Sequence, residues 1–391
     1  MSALGSKKYT LRELTLYFLK LGTWGFGGPV ALVGYMHRDL VEQKAWLTEE
    51  EYKEGLALAQ LAPGPLAAQL GIYIGFVHYG MLGATLIGLA FVLPSFIMVV
   101  LLGMVYQAYS GLNWMRDVFY GVGAAVIGII TLSAYKLTLK SVGKLNLLAI
   151  RSNWLLWLFY LIAVVVTIIT QQEQILLFMG CGLIYMFVKA PPGWMKRTTS
   201  LPVILISSIS FWSYSKDTLV QIGLFFLKAG TFVFGSGLAI VPFLHAGVVN
   251  DYHWLNENQF VDAVAVAMIT PGPVVITVGF IGYLVNGFPG AGVAALATFM
   301  PCFLFTVILA PFFKKIAKNT SIKAFVDGIT AAVIGALVGS VVIIASRSII
   351  DIPTAVIALA SGLALIYIKK LQEPHLIAIA AVLGILIKSV L

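Results

Sequence analysis

Two Pro-Gly-Pro triplets, Pro63-Gly64-Pro65 and Pro271-Gly272-Pro273, stand inside apolar sequence that otherwise reads as helix: "LAQLAPGPLAAQL" and "MITPGPVVITVGF". A proline in a helix interior removes a backbone donor and collides with the preceding turn, at about 3 kcal/mol. Each stretch is therefore expected to stop and restart there, the alternative being a spanning helix that the prolines merely kink. The triplets are 208 residues apart, and the same offset aligns "FLKLGTWGFGGP" from Phe18 with "FLKAGTFVFGSG" from Phe226. It also pairs His37 with His245, Trp46 with Trp254 and Glu54 with Asp262. After a one-residue deletion the offset becomes 207, matching Pro94 with Pro301 and "GVGAAVIG" from Gly121 with "GITAAVIG" from Gly328. The chain is thus two copies of one unit, residues 1–197 and 216–391, joined by a connecting segment at 198–215.

What surrounds the breaks is too greasy for a water-soluble globule. Hydrophobic residues make up 60% of the 391 and charged residues only 10%, with a mean hydropathy of +0.97. Apolar runs of spanning length occur at 82–107 and 115–138, and again at 290–313 and 323–346. Each unit closes with two shorter runs, 154–170 with 174–188 and 353–368 with 375–390. This predicts an all-α polytopic membrane protein. The opening "MSALGSKKYTLRELT" lacks a short apolar core followed by a small-residue cleavage site, so it reads as a retained cytoplasmic N-terminus with no signal peptide.

The net charge of +9 reflects lysines and arginines concentrated in short loops, as the positive-inside bias requires, and does not point to nucleic acid. The bias reverses between the units. The loop at 108–116 holds only Arg116 where its counterpart holds Lys314, Lys315, Lys318 and Lys323; 136–144 holds three lysines against Arg347 alone. That reversal predicts inverted-topology repeats, with an odd crossing in the connecting segment. Ahead of the long runs, the segments broken at "WGFGGP" and "APGP" are each about half a membrane long. They fit either three full crossings or two re-entrant hairpins followed by one crossing. The hairpin arrangement suits the charge reversal better, placing Arg38, Lys44 and Lys53 inside and the loop from Ala246 to Gln259 outside.

A helix that restarts near the bilayer midplane presents unbonded N–H groups and the positive end of its dipole, which together form an anion site. Proline fits the first helical position and glycine lets a ligand approach the backbone. The expected substrate-binding residues are therefore Gly27, Gly28, Pro29, Pro63, Gly64 and Pro65, with Gly235, Ser236, Gly237, Pro271, Gly272 and Pro273 from the second unit. Lys20 and Lys228, at one repeat position within apolar sequence, are expected as counter-charges to the anion, the alternative being that each snorkels to an interface. Glu54, Asp262, His37 and His245 are candidates for proton coupling. Against that, the carboxylates could charge the first turn of the following half-helix and the histidines could sit at an interface. Tyr73, Gln60 and Gln69 could donate hydrogen bonds to an oxyanion; Trp154 and Trp157 read as interfacial belt or packing.

No metalloprotease, phosphate-loop, CxxC or nucleophile-elbow motif is present, so neither enzyme chemistry, a metal nor a cofactor is expected. Cys181 and Cys302 are isolated in apolar runs and imply no disulfide. The oligomeric state is left open, a homodimer being one option.

The stretches "FGGPVALVGYMHRDLVEQKAWLTEEEY" and "LAQLAPGPLAAQLGIYIGF", with their echoes in the second unit, resemble the bacterial chromate ion transporter family in its long-chain, two-domain form. The resemblance covers nearly the whole chain. The family's first motif falls on Gly25, Phe26, Gly27, Gly28 and Pro29 and its second on Pro63, Gly64 and Pro65. The second unit departs from it at "FGSG", with Ser236 and Gly237 where the first has Gly28 and Pro29. The resemblance implies a multi-pass protein of the bacterial inner membrane that exports chromate, driven by the proton-motive force or membrane potential, and confers resistance. Sulfate, of nearly the same shape and charge, remains an alternative substrate, and a passive anion channel an alternative mode.

Overall fold

The computed structural model describes residues 9–109, 112–144, 146–171, 175–192, 217–235, 237–312, 319–368 and 371–390. The connecting segment 198–215, Ser236 and Lys314, Lys315 and Lys318 lie outside the described residues. Among the described residues the fold is all-α, and four helices are long and apolar enough to cross a membrane.

Local sequence sets the first boundaries. Helix α1 (Leu11–Trp24) starts on a capping box in which Thr10 accepts from the Glu13 amide while Glu13 accepts from the Thr10 amide, and it stops at Gly25. Gly27 and Gly28, with φ of 101° and 73°, turn the chain, and Pro29 opens α2 (Gly28–Met36). A π-helical turn, His37–Gln43, extends it. A second capping box, Thr48 with Glu51, starts α3 (Glu49–Leu61), which ends at Ala62 just before the Pro-Gly-Pro triplet. The chain resumes as α4 (Leu66–Tyr109), which bends at Tyr79 and Gly80. The helix does break at the first triplet, where two prolines flank Gly64 with its φ of 142°.

From the bend, the Tyr79 hydroxyl donates to the Tyr9 carbonyl at 2.6 Å, and the Tyr9 ring stacks on Trp46 at 4.8 Å. The start of α1, the loop before α3 and the bend of α4 therefore share one end of the molecule. The chain runs inward along α1, back along α2, inward along α3 and back along the first limb of α4. Only the second limb crosses from end to end, roughly 40 Å at the helical rise. Helices α5 (Asn113–Ser141), the short α6 (Leu147–Ser152), α7 (Trp154–Thr170) and α8 (Ile175–Lys189) follow.

The second unit repeats this path: α9 (Thr218–Thr231), α10 (Val241–His245) with its π turn Ala246–Asp251, and α11 (Glu257–Ile269) on an Asn256–Gln259 capping box. Then come α12 (Thr277–Leu309), α13 (Thr320–Ser348), α14 (Ile352–Tyr367) and α15 (Glu373–Val390). The bend of α12 falls at Asn286 and Gly287, 207 residues after that of α4, with closely similar dihedrals. Because the triplets match at 208, the missing residue lies between triplet and bend.

The two units interlock. Helix α5 packs against α14 and α15 of the second unit, and α13 packs against α7 and α8 of the first. The shared "GVGAAVIG" and "GITAAVIG" segments explain this. Side chains at Gly121 and Gly128 would strike the backbone carbonyls of Ala380 and Ala358, and at Gly328 and Gly335 those of Cys181 and Tyr160. Without a hydrophobic driving force in lipid, such close backbone approach is what holds helices together.

Candidate functional site

The breaks meet at the centre, and they bond across the units. The Gly64 amide donates to the Val233 carbonyl at 2.5 Å and the Gly272 amide to the Gly25 carbonyl at 2.9 Å. Position 64 matches 272 and position 25 matches 233, so this is one contact made twice. Gly64–Pro65 also pairs in parallel with Phe234–Gly235. Gln69, wholly buried, donates to the Pro63 carbonyl at 2.8 Å, and Ser95 donates to the Gly22 carbonyl at 3.3 Å.

This placement separates the expected anion-site residues into two groups. Gly64, Pro65, Pro271, Gly272, Pro273 and Gly237 are buried, Pro63 is half-buried, and the two triplet-glycine amides are committed to carbonyls. The first-unit break is open instead: Gly27 is exposed, Gly28 and Pro29 are half-buried, and the α2 N-cap carries no side-chain hydrogen bond. A cleft of about 730 Å³ reaches this break along Gly25 and Phe26, and Lys20, Arg38 and Lys44 line it together with Glu13 and Asp39. Arg38 pairs with Asp39 at 2.8 Å and Lys44 lies 4.4 Å over the Trp46 ring, whereas Lys20 has no ion-pair or hydrogen-bond partner among the described residues. Lys228 does not share this cleft; it is exposed, 5.9 Å from the Phe243 ring. The two lysines thus differ in their surroundings, Lys20 lining the cleft and Lys228 lying beside Phe243.

Both histidines contact a glutamate that sequence reasoning did not single out. His37 Nε2 lies 2.8 Å from Glu49 Oε2 and His245 Nε2 lies 2.8 Å from Glu257 Oε2. The signal was available, since Glu49 and Glu257 share the 208 offset. The hydrogen bond from His37, and then that from Lys53, hold the exposed Glu49 carboxyl below its ordinary range. Glu54 and Asp262 do not charge a first turn, since the caps are Thr48 and Asn256 and both carboxylates lie more than a turn inside their helices. Glu54 is half-buried. Asp262 is buried and accepts a 2.7 Å hydrogen bond from the Tyr106 hydroxyl of α4. Of the polar side chains proposed for an oxyanion, Tyr73 is buried and Gln60 exposed, while Trp154 is exposed and Trp157 packs inside. Cys181 and Cys302 are buried and free, and the described residues hold no cluster of metal-ligating groups.

One set of contacts breaks the symmetry between the units. Arg347 Nη1 pairs with Glu257 Oε1, Arg347 Nη2 donates to Gln171 Oε1 at 2.6 Å, and Asn250 donates to the Gln171 carbonyl at 2.8 Å. The α7–α8 turn is thereby fastened over the second unit's π turn. In the first unit the position matching Arg347 is Lys140, and Gln372, on the α14–α15 turn, lines the open cleft. We expect Arg347→Gln to loosen this closure. A cysteine placed at the buried Val249 should then react severalfold faster with a charged thiol reagent; unchanged reactivity would show that Arg347 does not hold it shut.

Residues 12–186 and 220–385 match the family described as Chromate transporter. The chain is 61% identical to a chromate transport protein of Cupriavidus metallidurans, covering 96% of this chain and 93% of that protein. It is 57% identical to a probable chromate transport protein of Synechococcus elongatus, covering 97% and 96%. An uncharacterized transporter of Methanocaldococcus jannaschii is 28% identical over 96% of this chain and 94% of its own. No solved structure matches.

Proposed function

This chain belongs to the chromate transporter family, and from that premise we propose that it exports chromate from the cytoplasm of a bacterial cell as a secondary transporter. It is a multi-pass membrane transport protein, not an enzyme. Its units, 1–197 and 216–391, work as inverted repeats in the inner membrane, with the N-terminus and the end bearing Arg38, Lys44 and Lys53 facing the cytoplasm.

The observation that carries this reading is the cleft lined by Lys20, Arg38 and Lys44 that leads to the α2 N-terminus. Its cations attract a dianion from water, and the glycines at the break let backbone amides reach the oxyanion without an intervening side chain. The reciprocal Gly64–Val233 and Gly272–Gly25 bonds support alternating exposure, since a junction made twice about a pseudo-twofold axis has two equivalent arrangements. Outward movement of a dianion is favoured by an inside-negative potential, about 2.3 kcal/mol per charge per 100 mV.

Chromate uptake into inverted membrane vesicles, with sulfate competing and with imposed voltage and pH gradients, tests the proposal. Saturable uptake that responds to either gradient is expected. Stronger inhibition by sulfate than by unlabelled chromate would make sulfate the preferred substrate. Non-saturable flux without exchange would replace the carrier with a channel.

A further inference from the structure

At the end of the molecule opposite the Lys20 cleft lies a second cleft, of about 820 Å³. Arg116 enters it from the start of α5, Arg347 from the end of α13 and Lys388 from the end of α15. Asn256, Asn258 and Gln259 contribute from the start of α11. Lys388 Nζ sits 4.4 Å over the Tyr120 ring, and the Tyr120 hydroxyl is tied to Asp351 at 2.6 Å. Arg116 has no hydrogen-bond or ion-pair partner among the described residues. The acidic groups lining the cleft are Asp117 and Asp262.

Asp262 differs from every other group there. It is 7% exposed, and the Tyr106 hydroxyl is its one hydrogen-bond donor among the described residues. A buried carboxylate needs compensation for lost hydration, and a single phenol supplies only part of it. The pair joins the two units, and the sequence does not repeat it. Glu54 is the matched carboxylate, but the position matching Tyr106 at the 207 offset is Phe313, which has no hydroxyl.

We propose that this cleft is a proton-linked oxyanion station, in which Arg116 and Lys388 hold a tetrahedral dianion and the Asp262 carboxyl takes up a proton as the anion arrives, while Arg347, paired with Glu257 and Gln171, closes the cleft's edge. The inference rests on the transport reading above and adds a second site and its coupling group. Ionised Asp262 opposes a dianion in the same cleft; protonation removes that charge, leaving Asp117 among the lining residues, with Glu257 answered by Arg347 and Asp351 bonded to Tyr120 beside Lys388. By reciprocity, bound dianion strengthens the hold of Asp262 on its proton by the same factor by which the proton strengthens anion binding. Tyr106 is a positioning residue: its O–H donates to the charged carboxylate and so opposes premature protonation.

The test is calorimetric titration of the purified full chain with chromate in alkaline buffers of different ionisation enthalpy, where chromate itself is the dianion. Proton uptake on binding is expected, with affinity falling about tenfold as pH rises through the titration of Asp262. Asp262→Asn should bind chromate at least as tightly, with no proton uptake and no pH dependence. Tyr106→Phe keeps the carboxyl and should move the pH midpoint up by about one unit. Arg116→Gln with Lys388→Gln should weaken binding about tenfold. Proton uptake that persists in Asp262→Asn, or binding that the Arg116 and Lys388 changes leave intact, overturns the proposal. Chromate binding to the parent protein without proton uptake sinks this inference alone, whereas no chromate binding at all sinks the transport reading with it.

Discussion

Replacing Gly272 with alanine is expected to cost about 3 kcal/mol of stability and to abolish chromate transport. Its φ of 97° is strained for any residue with a Cβ, by roughly 1 to 2 kcal/mol, and overpacking adds a comparable amount. The added methyl would drive into the Ser95 hydroxyl, with the Gly22 carbonyl 3.3 Å away. Relief would require moving the Gly272 amide off the Gly25 carbonyl, breaking half of the junction between the units. Gly28→Ala is the control. Its φ of 73° is also left-handed, but nothing lies within 4 Å of the added carbon. Thermal unfolding in detergent should therefore show a large loss for Gly272→Ala and about 1 kcal/mol for Gly28→Ala, while chromate uptake falls in both. Equal melting behaviour of the two would mean that the central crossing does not carry the fold.

Lys20→Gln is expected to weaken chromate binding about tenfold, equivalent to 1.4 kcal/mol, and Lys20→Gln with Arg38→Gln about a hundredfold. Lys228→Gln should stay within about twofold. Charge-assisted contacts to an oxyanion are worth this much when the cation has no competing partner, as for Lys20; Arg38, already paired with Asp39, contributes through the cleft's field. The periodic sequence makes the two lysines look equivalent. The structure separates them, because Lys20 lines the open cleft and Lys228 lies on an exposed face beside Phe243. Equal losses in Lys20→Gln and Lys228→Gln, read by equilibrium binding, would contradict that distinction.

Much of the architecture was legible beforehand for local reasons. Two prolines flanking a glycine in each triplet weigh far more against a continuous helix than the single Pro94 and Pro301 that α4 and α12 carry, so both breaks were readable from covalent chemistry and repetition. The long apolar runs gave the four spanning helices because hydropathy is additive along the chain. The capping boxes at Thr48 and Asn256 place α3 and α11 and show why Glu54 and Asp262 are not caps. What stayed hidden was pairwise and distant: His37 with Glu49, Tyr106 with Asp262, Arg347 with Gln171. Each joins residues whose separation carries no periodic signal, and only the first could have been guessed from the repeat.

The order of the elements, their duplication and the places where helices must stop were determined by sequence alone, because each follows from short-range sterics and hydration. Which amides remain free at those stops was decided by tertiary structure. The triplet glycines spend theirs on carbonyls of the opposite unit, whereas Gly27 of the first unit's glycine break is exposed. Two related sequences thus occupy unlike surroundings, since burial depends on what packs over a segment as well as on the segment itself.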